Sequence, residues 1–398
     1  MRVLMLSWEY PPHVVGGLGQ HVADLAPALA RLGVEVHVVT PMRQGGESRS
    51  YEGNLEVHRV PVSAFGAADF VGEAQQTNLV LASYCQGLIE HDGPFDVIHN
   101  HDWLTAQAAK TVKLDNRLPM VATVHATERG RGRGNLASAQ AHAINDVEWE
   151  LTFEAWRVIA CTEYMRYELG AYFQTPTDKI DVIPNGVGTE AFDALEGVDL
   201  SAFRREYALP EEKIVFHVGR IVFEKGIETL IRSVPSVLAH VPEAKFVIAG
   251  RGPELEAMRA LVSSMHLEHK VLLLGFVSNE DRSSLFKHAD CAVFPTLYEP
   301  FGIVALEGMA ARVPVVVSEV GGLKEVVTHG ETGITVYPGD PNSCAWGITH
   351  TLQHPEWAAM RVQNAFHQVR TVFNWDVIAG QTEAVYRQVV SERAQTHW

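Results

Sequence analysis

Short runs of apolar, mostly β-branched residues alternate with helix-like patterns along this chain, and this alternation restricts the possible folds more than any other feature. The predicted strands of the first half are residues 3–6, 34–39, 97–98, 121–124 and 158–161. Those of the second half are residues 214–218, 246–249, 271–274, 291–294 and 313–317. Because continuous apolar runs between helices are typical of parallel strands covered on both faces, we predict an α/β protein with doubly wound sheets.

The segment after the first predicted strand has the pattern of one amphipathic helix. Its apolar residues recur at the spacing of a single helix face and are Val22, Leu25, Ala26, Leu29 and Leu32. Glycine commonly ends a helix, so we expect the helix to stop at Gly33.

Length, charge and cysteine content predict a two-domain cytoplasmic protein. A chain of 398 residues exceeds what one hydrophobic core usually serves, and the strand pattern restarts near Ile214 after the loosely patterned stretch 186–212. The net charge of −16 argues against nucleic acid and anionic membranes as partners. The apolar run 3–6 is too short for a signal peptide or a stable membrane insertion. No closely spaced pair of cysteines indicates a disulfide framework or a zinc site; the cysteines are Cys85, Cys161, Cys291 and Cys344.

Two carboxylates eight positions apart mark the most informative loop of the chain. Glu299 lies in a loop bounded by proline and glycine, and Glu307 lies in an apolar, helix-like run. If a helix begins near Phe301, its free N–H groups point into the loop that holds Glu299. Such a loop can offer a carboxylate and backbone donors to one polyhydroxylated ligand. The simpler alternative is an acidic residue near a helix start and a solvated glutamate on another face.

Cations and glycines follow predicted strands in both halves of the chain. Arg220 and Lys225 follow the strand 214–218, where two cations can clamp a diphosphate; the alternative is a surface salt bridge. Gly16, Gly17 and Gly19 lie between a strand and a helix and permit close approach to a phosphate, although their spacing is not the dinucleotide fingerprint. A similar glycine pair, 321–322, follows a strand in the second half, where an ordinary turn is the alternative.

Histidines at strand ends leave a structural and a functional interpretation open. His125 ends the strand 121–124, and a lone histidine there is more often structural. His99 and His101 could form a metal pair, but the sequence specifies no third ligand. No two aspartates occur at positions i and i+2, which removes the usual carboxylate pair that holds a divalent ion on a nucleotide sugar.

The loop around Glu299 resembles the paired-glutamate motif of retaining nucleotide-sugar glycosyltransferases, especially glycosyltransferase family 4, in a glycogen-synthase-like form. The order and spacing of further segments carry the same resemblance: Gly16-Gly17-Leu18-Gly19, His99-Asn100-His101-Asp102-Trp103, Thr123-Val124-His125, Pro184-Asn185-Gly186-Val187, Gly219-Arg220 with Lys225-Gly226, Gly321-Gly322, and Trp375. The resemblance implies a GT-B fold, in which two Rossmann-like domains face each other across a cleft. It implies an acceptor-side domain at 1–190, a donor domain at 191–371, and a C-terminal helix at 372–398 that crosses back to the first domain.

The resemblance also implies roles for individual residues. The catalytic set is His125, Arg220, Lys225 and Glu299, with His125 beside the donor sugar, and Trp103 packs in the interior. The residues implied to contact the donor are Gly16, Gly17, Arg220, Lys225, Glu299, Phe301, Gly302, Ile303 and Glu307. Glu299 would bind the 3- and 4-hydroxyls of the sugar and Glu307 the nucleotide ribose. On the acceptor side Asp102 would hold a hydroxyl, and Arg131 would guide a charged acceptor unless its arginine-rich segment is a solvated loop.

Three positions depart from the resemblance. Bacterial glycogen synthases carry a lysine two residues before the paired glycines, where this chain has Val14, and they lack the second carboxylate, present here as Glu307. Gly188 stands where the family usually has aspartate. The first two differences argue against an ADP-glucose glycogen synthase and leave sugar transfer intact.

We therefore predict a metal-independent, cofactor-free retaining hexosyltransferase. It would move a hexose, with glucose expected, from a UDP- or ADP-hexose to a hydroxyl of a saccharide or small molecule by front-face displacement. Arg220 and Lys225 would replace a metal ion at the diphosphate. The alternatives are a nucleotide-sugar epimerase or hydrolase on the same fold, and a non-catalytic protein that binds sugar nucleotides.

Overall fold

The computed structural model describes residues 1–43, 45–63, 67 and 69–396 and divides the chain into two compact units. The N-terminal unit contains Met1–Gly186 and the final segment that begins at Trp375, and the C-terminal unit is Val187–Asn374. The boundaries expected from the sequence, after residues 190 and 371, fall within a few residues of these divisions.

The N-terminal unit is built on one largely parallel sheet. Its strands are β1 Arg2–Leu6, β2 Glu35–Met42, β3 Arg49–Glu52, β4 Leu55–Pro61, β5 Val97–His101, β6 Met120–Val124, β7 Arg157–Ala160 and β8 Ile180–Val182. Among the described residues their order is β3-β4-β2-β1-β5-β6-β7-β8, and only the β3–β4 pair is antiparallel. The helices are α1 Gly17–Arg31, α2 Phe70–Asp92, α3 Ala106–Asn116, α4 Glu128–Arg131, α5 Ala139–Glu154 and α6 Glu163–Phe173, with 3₁₀ turns at Trp103–Thr105 and Thr177–Lys179.

The C-terminal unit contains a second, wholly parallel sheet. Its strands are β9 Lys213–Val218, β10 Ala244–Ala249, β11 Val271–Gly275, β12 Cys291–Phe294, β13 Val315–Ser318 and β14 Ile334–Val336, in the order β11-β10-β9-β12-β13-β14. The helices are α7 Glu190–Asp193, α8 Ser201–Arg204, α9 Ile227–Leu238, α10 Leu255–Ser264, α11 Asn279–His288, α12 Ile303–Ala310, α13 Leu323–Val326, α14 Pro341–Gln353 and α15 Pro355–Thr371, with a 3₁₀ turn at Phe223–Lys225.

The strand order reverses once in each sheet, and the reversal indicates where a ligand can bind. In the N-terminal sheet β1 lies between β2 and β5, and in the C-terminal sheet β9 lies between β10 and β12. Open α/β sheets bind ligands beyond the carboxyl ends of the strands at such a reversal. The segments that follow β1, β5, β9 and β12 are therefore the first places to search for a site.

Every strand predicted from the sequence is present, with ends shifted by a few residues. The sequence does not predict β3, β4, β8 or β14. The last two contain only three residues each. In β4 the apolar residues are interrupted by Glu56, His58 and Arg59, so no continuous apolar run marks it.

The predicted buried face of α1 is correct except at its last residue. The buried residues are Val22, Leu25, Ala26 and Leu29. Leu32 is 43% exposed, so its assignment to this face is wrong. The reason is that α1 ends at Arg31 and Gly33 turns the chain with a φ of 88°.

The last helix, α16 (Trp375–Ala394), completes the core of the N-terminal unit. It packs on α1, and the hydroxyl of its buried Tyr386 lies 2.6 Å from Nδ1 of His99. A Cβ atom at Gly186 would lie 2.6 Å from the ring of Trp375. Close packing of this tryptophan therefore explains why position 186 carries no side chain. In the described part of the chain, no helix combines the length and apolar character needed to cross a membrane.

We expect Gly186→Ala to lower the free energy of unfolding by about 1–3 kcal/mol, because the added methyl group overpacks a filled core. The matched control is Gly380→Ala on α16, where the new Cβ meets no atom within 4 Å. That variant should gain roughly 0.5–1 kcal/mol, because alanine is a better helix former than glycine. Urea unfolding measures both changes, and equal stability of the two variants would contradict the packing described for Trp375.

Candidate active site

Two loops meet at the carboxyl edge of the C-terminal sheet, one after β9 and one after β12. Gly226 in the first loop has a φ of 66°, and a Cβ there would lie 2.0 Å from the carbonyl oxygen of Pro295. In addition, the amide of Leu297 donates to the carbonyl oxygen of Glu224 at 2.7 Å. The two backbones are thus in direct contact, and only glycine fits at position 226.

This contact brings Lys225 and Glu299 together. Nζ of Lys225 donates to Oε2 of Glu299 at 2.6 Å, and the two side chains are 18% and 11% exposed. An ammonium group has three N–H donors and a carboxylate has two accepting oxygens, so each group can also bind a ligand. The predicted cation and the predicted hydroxyl acceptor therefore lie side by side.

Arg220, the other predicted cation, is in a more open environment. Its side chain is 54% exposed and pairs with Glu224 at 3.5 Å. Exposed pairs of this kind contribute little free energy, so the guanidinium can turn toward an anion at small cost. The structure places Arg220 and Lys225 on the same loop, and their use as a phosphate clamp stays a prediction.

Gly302 and Gly322 hold the Glu299 loop on its other side. The amide of Gly322 donates to the carbonyl oxygen of Glu299 at 2.9 Å. Gly302 has a φ of 107°, and a Cβ there would lie 2.4 Å from Cδ2 of Leu323. Helix α12 begins directly afterwards at Ile303, slightly later than the sequence predicts. The main chain at Glu299 is thus fixed by glycines before a ligand arrives.

Glu307 is buried, so its interpretation as a solvated glutamate is wrong. Its Oε1 lies 2.8 Å from Nη2 of Arg282 on α11. Phe301 is also buried and packs edge-on against Phe373. The structure therefore assigns both residues interior contacts within the C-terminal unit, and their contacts with a donor stay predictions.

His217, near the end of β9, is a buried group that the sequence analysis did not select. Its Nδ1 lies 2.7 Å from the carbonyl oxygen of Val293, while Nε2 has no hydrogen-bond partner among the described residues. Burial lowers the pKa of His217 to about 4, so the ring is neutral at pH 7. Its place at the end of an apolar strand is the only sequence signal that could have identified it.

In the N-terminal unit, Asp102 follows β5 in a backbone conformation that is rare for residues other than glycine, with a φ of 56°. Its buried Oδ1 accepts a hydrogen bond from the backbone N–H of His125 at 2.7 Å. Burial raises the pKa of Asp102 to about 6. Asp102 therefore fixes the main chain at His125, a role that the sequence did not predict.

His125 follows β6 and belongs to a group of three imidazoles. Its Nε2 lies 3.2 Å from Nδ1 of His101, and its ring packs edge-on against His21 with centroids 4.6 Å apart. Burial, and to a lesser extent the charge of Arg131, lowers the pKa of His125 to about 3. The predicted catalytic histidine is therefore a neutral ring at pH 7.

The interpretation of His99 and His101 as a metal pair is wrong. The ring nitrogens of His99 lie 2.6 Å from the hydroxyl of Tyr386 and 2.7 Å from Oγ1 of Thr123, so both are engaged. His101 instead joins His125 and His21, and one ring nitrogen from each lies within 4.8 Å of the others. The third ligand-type residue comes from α1, far away in sequence, which is why the local pattern did not reveal it.

Only Gly16 precedes α1; Gly17 and Gly19 lie in its first turn, so their predicted place between strand and helix is wrong. The turn at Gly16 already binds an anionic group of the protein. The amides of Val15 and Gly16 donate to Oε2 of Glu9 at 2.8 and 3.1 Å. A Cβ at Gly19 would lie 2.7 Å from the same oxygen, whereas one at Gly16 would meet nothing within 4 Å. The amide predicted to contact a phosphate is thus occupied by Glu9, and Gly17 lies exposed beside it.

The arginine-rich segment is helical only in its first part, and residues 131–134 are exposed, so the solvated alternative stays open. Its first part forms the short helix α4, and Oγ1 of Thr127 accepts from the amide of Gly130 at 2.9 Å. Arg131 lies 3.7 Å from Glu128 and is partly exposed. It is close enough to oppose protonation of His125, as noted above. Trp103 is buried and packs edge-on against Phe70, as the resemblance implied.

Glu148 on α5 is the second group that sequence reasoning missed. Both of its carboxylate oxygens accept from the amide of Glu128, at 2.9 and 3.0 Å. Burial nevertheless raises the pKa of Glu148 to about 8. A glutamate in a helix has no local pattern that indicates such burial, so no sequence signal could have identified it.

Comparisons with known proteins identify related families, sequences and structures. The family model "Glycosyltransferase Family 4" matches residues 15–191, and "Glycosyl transferases group 1" matches residues 201–368. An uncharacterized glycosyltransferase of Methanocaldococcus jannaschii is 40% identical over 97% of this chain and 98% of its own. A glycogen synthase of Mycobacterium tuberculosis is 33% identical, with 97% and 94% covered. The sucrose-phosphate synthase structure from Thermosynechococcus elongatus superposes with a TM-score of 0.83 at 25% identity, with 98% and 99% covered.

Glu148 predicts a pH dependence of stability. Between the unfolded pKa of about 4.3 and the folded value of about 8, the folded protein keeps a proton that the unfolded chain has lost. The free energy of unfolding should therefore fall as pH rises through this window, by up to about 1.4 kcal/mol per pH unit from this group. Glu148→Gln should flatten the decline in urea unfolding, and Glu150→Gln on the same helix is the control. If wild type and Glu148→Gln declined in parallel, the buried protonated carboxyl would be disproved.

Proposed function

The chain belongs to glycosyltransferase family 4, and on that premise we propose that it transfers a hexose, with glucose expected, from a UDP- or ADP-hexose to a hydroxyl group of a saccharide or small molecule. Two parallel-sheet Rossmann-like domains and the likeness to the sucrose-phosphate synthase structure confirm the predicted GT-B class. The glycogen synthase of Mycobacterium tuberculosis makes an α-glucan the first acceptor to test.

The ion pair of Lys225 and Glu299 is the observation that carries this proposal. It lies beyond the carboxyl ends of β9 and β12, at the strand-order reversal where α/β sheets bind ligands. A nucleotide sugar presents a diphosphate next to a ring of hydroxyl groups. A cation and a carboxylate 2.6 Å apart match the two chemistries of that junction.

The charge that develops during transfer explains why Lys225 would matter for rate. As the bond from the anomeric carbon to the diphosphate oxygen breaks, that oxygen gains negative charge. A cation already held in place by Glu299 stabilises this charge without reorganisation, and one such contact is worth about 3–4 kcal/mol. Arg220, which is exposed on the same loop, would supply the second contact to the diphosphate.

We propose that the reaction needs no metal ion. The two cations after β9 would carry the charge that a divalent ion carries in other nucleotide-sugar enzymes. The absence of aspartates at positions i and i+2 supports this assignment, because that carboxylate pair commonly holds such an ion.

Retention of configuration would follow from front-face displacement. Glu299 is bonded to an ammonium at 2.6 Å, and an ion-paired carboxylate is a poor nucleophile. The acceptor oxygen would therefore bond to the anomeric carbon on the face that the diphosphate leaves, and the departing phosphate would take the hydroxyl proton. In the N-terminal unit, His125 would stabilise the transition state of the donor sugar. Asp102 and Arg131 would act on the acceptor side, and Asp102 would do so by fixing the main chain at His125. Glu307 keeps its assignment to the ribose.

The test is a panel of UDP-, ADP- and GDP-hexoses, each incubated with and without an α-glucan, followed by mass analysis and anomeric NMR of the products. We expect acceptor-dependent transfer with retained configuration, unchanged in excess chelator. Hydrolysis or epimerisation of the donor without an acceptor would contradict the proposal and favour a nucleotide-sugar epimerase or hydrolase. Loss of transfer on chelation, restored by magnesium or manganese, would disprove metal independence.

Lys225→Ala should lower kcat about a hundredfold or more and change nucleotide binding much less, because the leaving-group charge is greatest in the transition state. Steady-state kinetics and calorimetry with the nucleoside diphosphate measure the two effects.

The chain offers a matched control for the loss of an ion pair. Nζ of Lys270 lies 2.9 Å from Oε1 of Glu212 in the same unit, and these side chains are 18% and 10% exposed. Lys270→Ala therefore removes a pair of similar burial away from the proposed site. If the two lysine variants showed the same kcat, Lys225 would have no part in the transfer step.

A further inference from the structure

His37, Glu56 and His58 bring three metal-ligand atoms together near one edge of the N-terminal sheet. His37 on β2 is the register partner of Glu56 on β4, and His58 lies two residues along β4 on the same face. Nδ1 of His37 lies 3.2 Å from Nε2 of His58 and 3.6 Å from Oε2 of Glu56. Nε2 of His58 lies 3.4 Å from Oε1 of the same carboxylate.

With Oε2 of Glu56 as the carboxylate ligand, the 3.2 and 3.6 Å separations from Nδ1 of His37 match two edges of a zinc coordination tetrahedron, and one ligand atom from each of the three residues lies within 4.8 Å of the others. Zinc binds histidine nitrogen and carboxylate oxygen at about 2.0–2.1 Å, which places neighbouring ligand atoms about 3.3 Å apart. Two histidines and one glutamate also form an established zinc ligand set, with water at the fourth position. We propose that His37, Glu56 and His58 bind one zinc-class divalent ion that ties β4, and through it the edge strand β3, to β2.

The ring nitrogen of each histidine that faces away from the cluster has a hydrogen-bond partner, as is usual for histidines that bind a metal ion. Nε2 of His37 lies 3.0 Å from Oε1 of Glu35, and Nδ1 of His58 lies 3.1 Å from the hydroxyl of Tyr84. A carboxylate only accepts hydrogen bonds, so Nε2 of His37 carries the proton in the neutral ring. Its Nδ1 lone pair therefore points at the centre of the cluster, and Glu35 and Tyr84 orient the two rings.

The carboxylate of Glu56 is hydrogen-bonded by Arg49 and Tyr51, and we assign its Oε2 to the ion. Nε of Arg49 donates to Oε1 at 2.6 Å, whereas Oε2 is the oxygen near His37. Both histidine side chains are buried, and Arg49 and Glu35 lie at the surface. The ligand atoms thus lie beneath a surface layer of ion-paired side chains.

The competing explanation is a hydrogen-bonded network without metal, and the two states differ in which ring nitrogen of His58 carries the proton. If Nε2 of His58 keeps its hydrogen, it donates to Nδ1 of His37 and the cluster is a hydrogen-bonded pair of rings. If that proton sits on Nδ1 instead, facing Tyr84, both lone pairs and Glu56 converge on one point. Metal titration separates these two states.

A second group of ring nitrogens within 4.8 Å of one another must be separated in any titration. It consists of His21, His101 and His125, next to the proposed transfer chemistry. The site at β2 and β4 is independent of the proposed function, because it contains none of the residues assigned to transfer.

The test is titration of the chelator-stripped full chain with CoCl2, read by visible absorption, and with ZnCl2, read by elemental analysis and thermal unfolding. We expect one equivalent of cobalt with the intense bands of tetrahedral coordination, displaced by zinc, and a higher Tm with zinc. Glu56→Gln and His58→Gln should lose the bands and the rise in Tm. Glu35→Gln, which changes the carboxylate that His37 shares with Arg2, should weaken affinity about tenfold to hundredfold.

The controls are Glu52→Gln, which changes an exposed carboxylate of the same hairpin, and His21→Asn, which changes the other cluster. Both should keep the cobalt bands. If His58→Gln fails to fold, the two glutamate variants still decide the question. The proposal is overturned if wild type gives no tetrahedral bands, if the bands survive in Glu56→Gln, or if they disappear in His21→Asn.

Discussion

The approach of Gly226 to the carbonyl oxygen of Pro295 is the constraint on which the proposed donor site depends. A side chain at position 226 would separate the loops after β9 and β12. Lys225 and Glu299 would then lose the geometry that lets them share a hydrogen bond at 2.6 Å. Two residues far apart in the sequence thus become one polar unit through a backbone contact that has no charge of its own. The position of this unit at the strand-order reversal then follows from the sheet topology.

The two units of the chain differ in the charge states of their functional side chains. With a net charge of −16, the protein repels an anionic ligand over most of its surface, so cations must be held locally. The C-terminal unit meets this need with Lys225, which is mostly sheltered from solvent beside Glu299. The N-terminal unit instead buries two titratable groups, His125 and Glu148, in uncharged forms. His125 is neutral, and Glu148 keeps its proton at neutral pH because burial disfavours the ion.

The sequence predicts those features that local pattern encodes. Continuous apolar runs identify most strands, and the order of short motifs identifies the family and the GT-B class, both of which the comparisons confirm. The features that the sequence analysis missed are contacts between residues that no sequence motif or regular spacing links. Glu9 fills the glycine turn, and Glu148 accepts from the amide of Glu128, yet neither has a distinctive neighbourhood in the sequence. Strand β4 was missed because the polar residues that interrupt it, including two of the proposed metal ligands, break the apolar pattern. The roles of the site residues stay predictions.

The packing of α16 has a consequence for how the chain is made. The chain leaves the N-terminal unit after Gly186 and returns to it only at Trp375. Until the ribosome has released α16, that core lacks the helix that covers α1 and supplies Tyr386 to His99. The C-terminal unit, by contrast, is complete in one continuous stretch and can fold during synthesis. The half of the protein that is translated first is therefore the half that matures last, and until then the apolar surface that α16 covers is exposed.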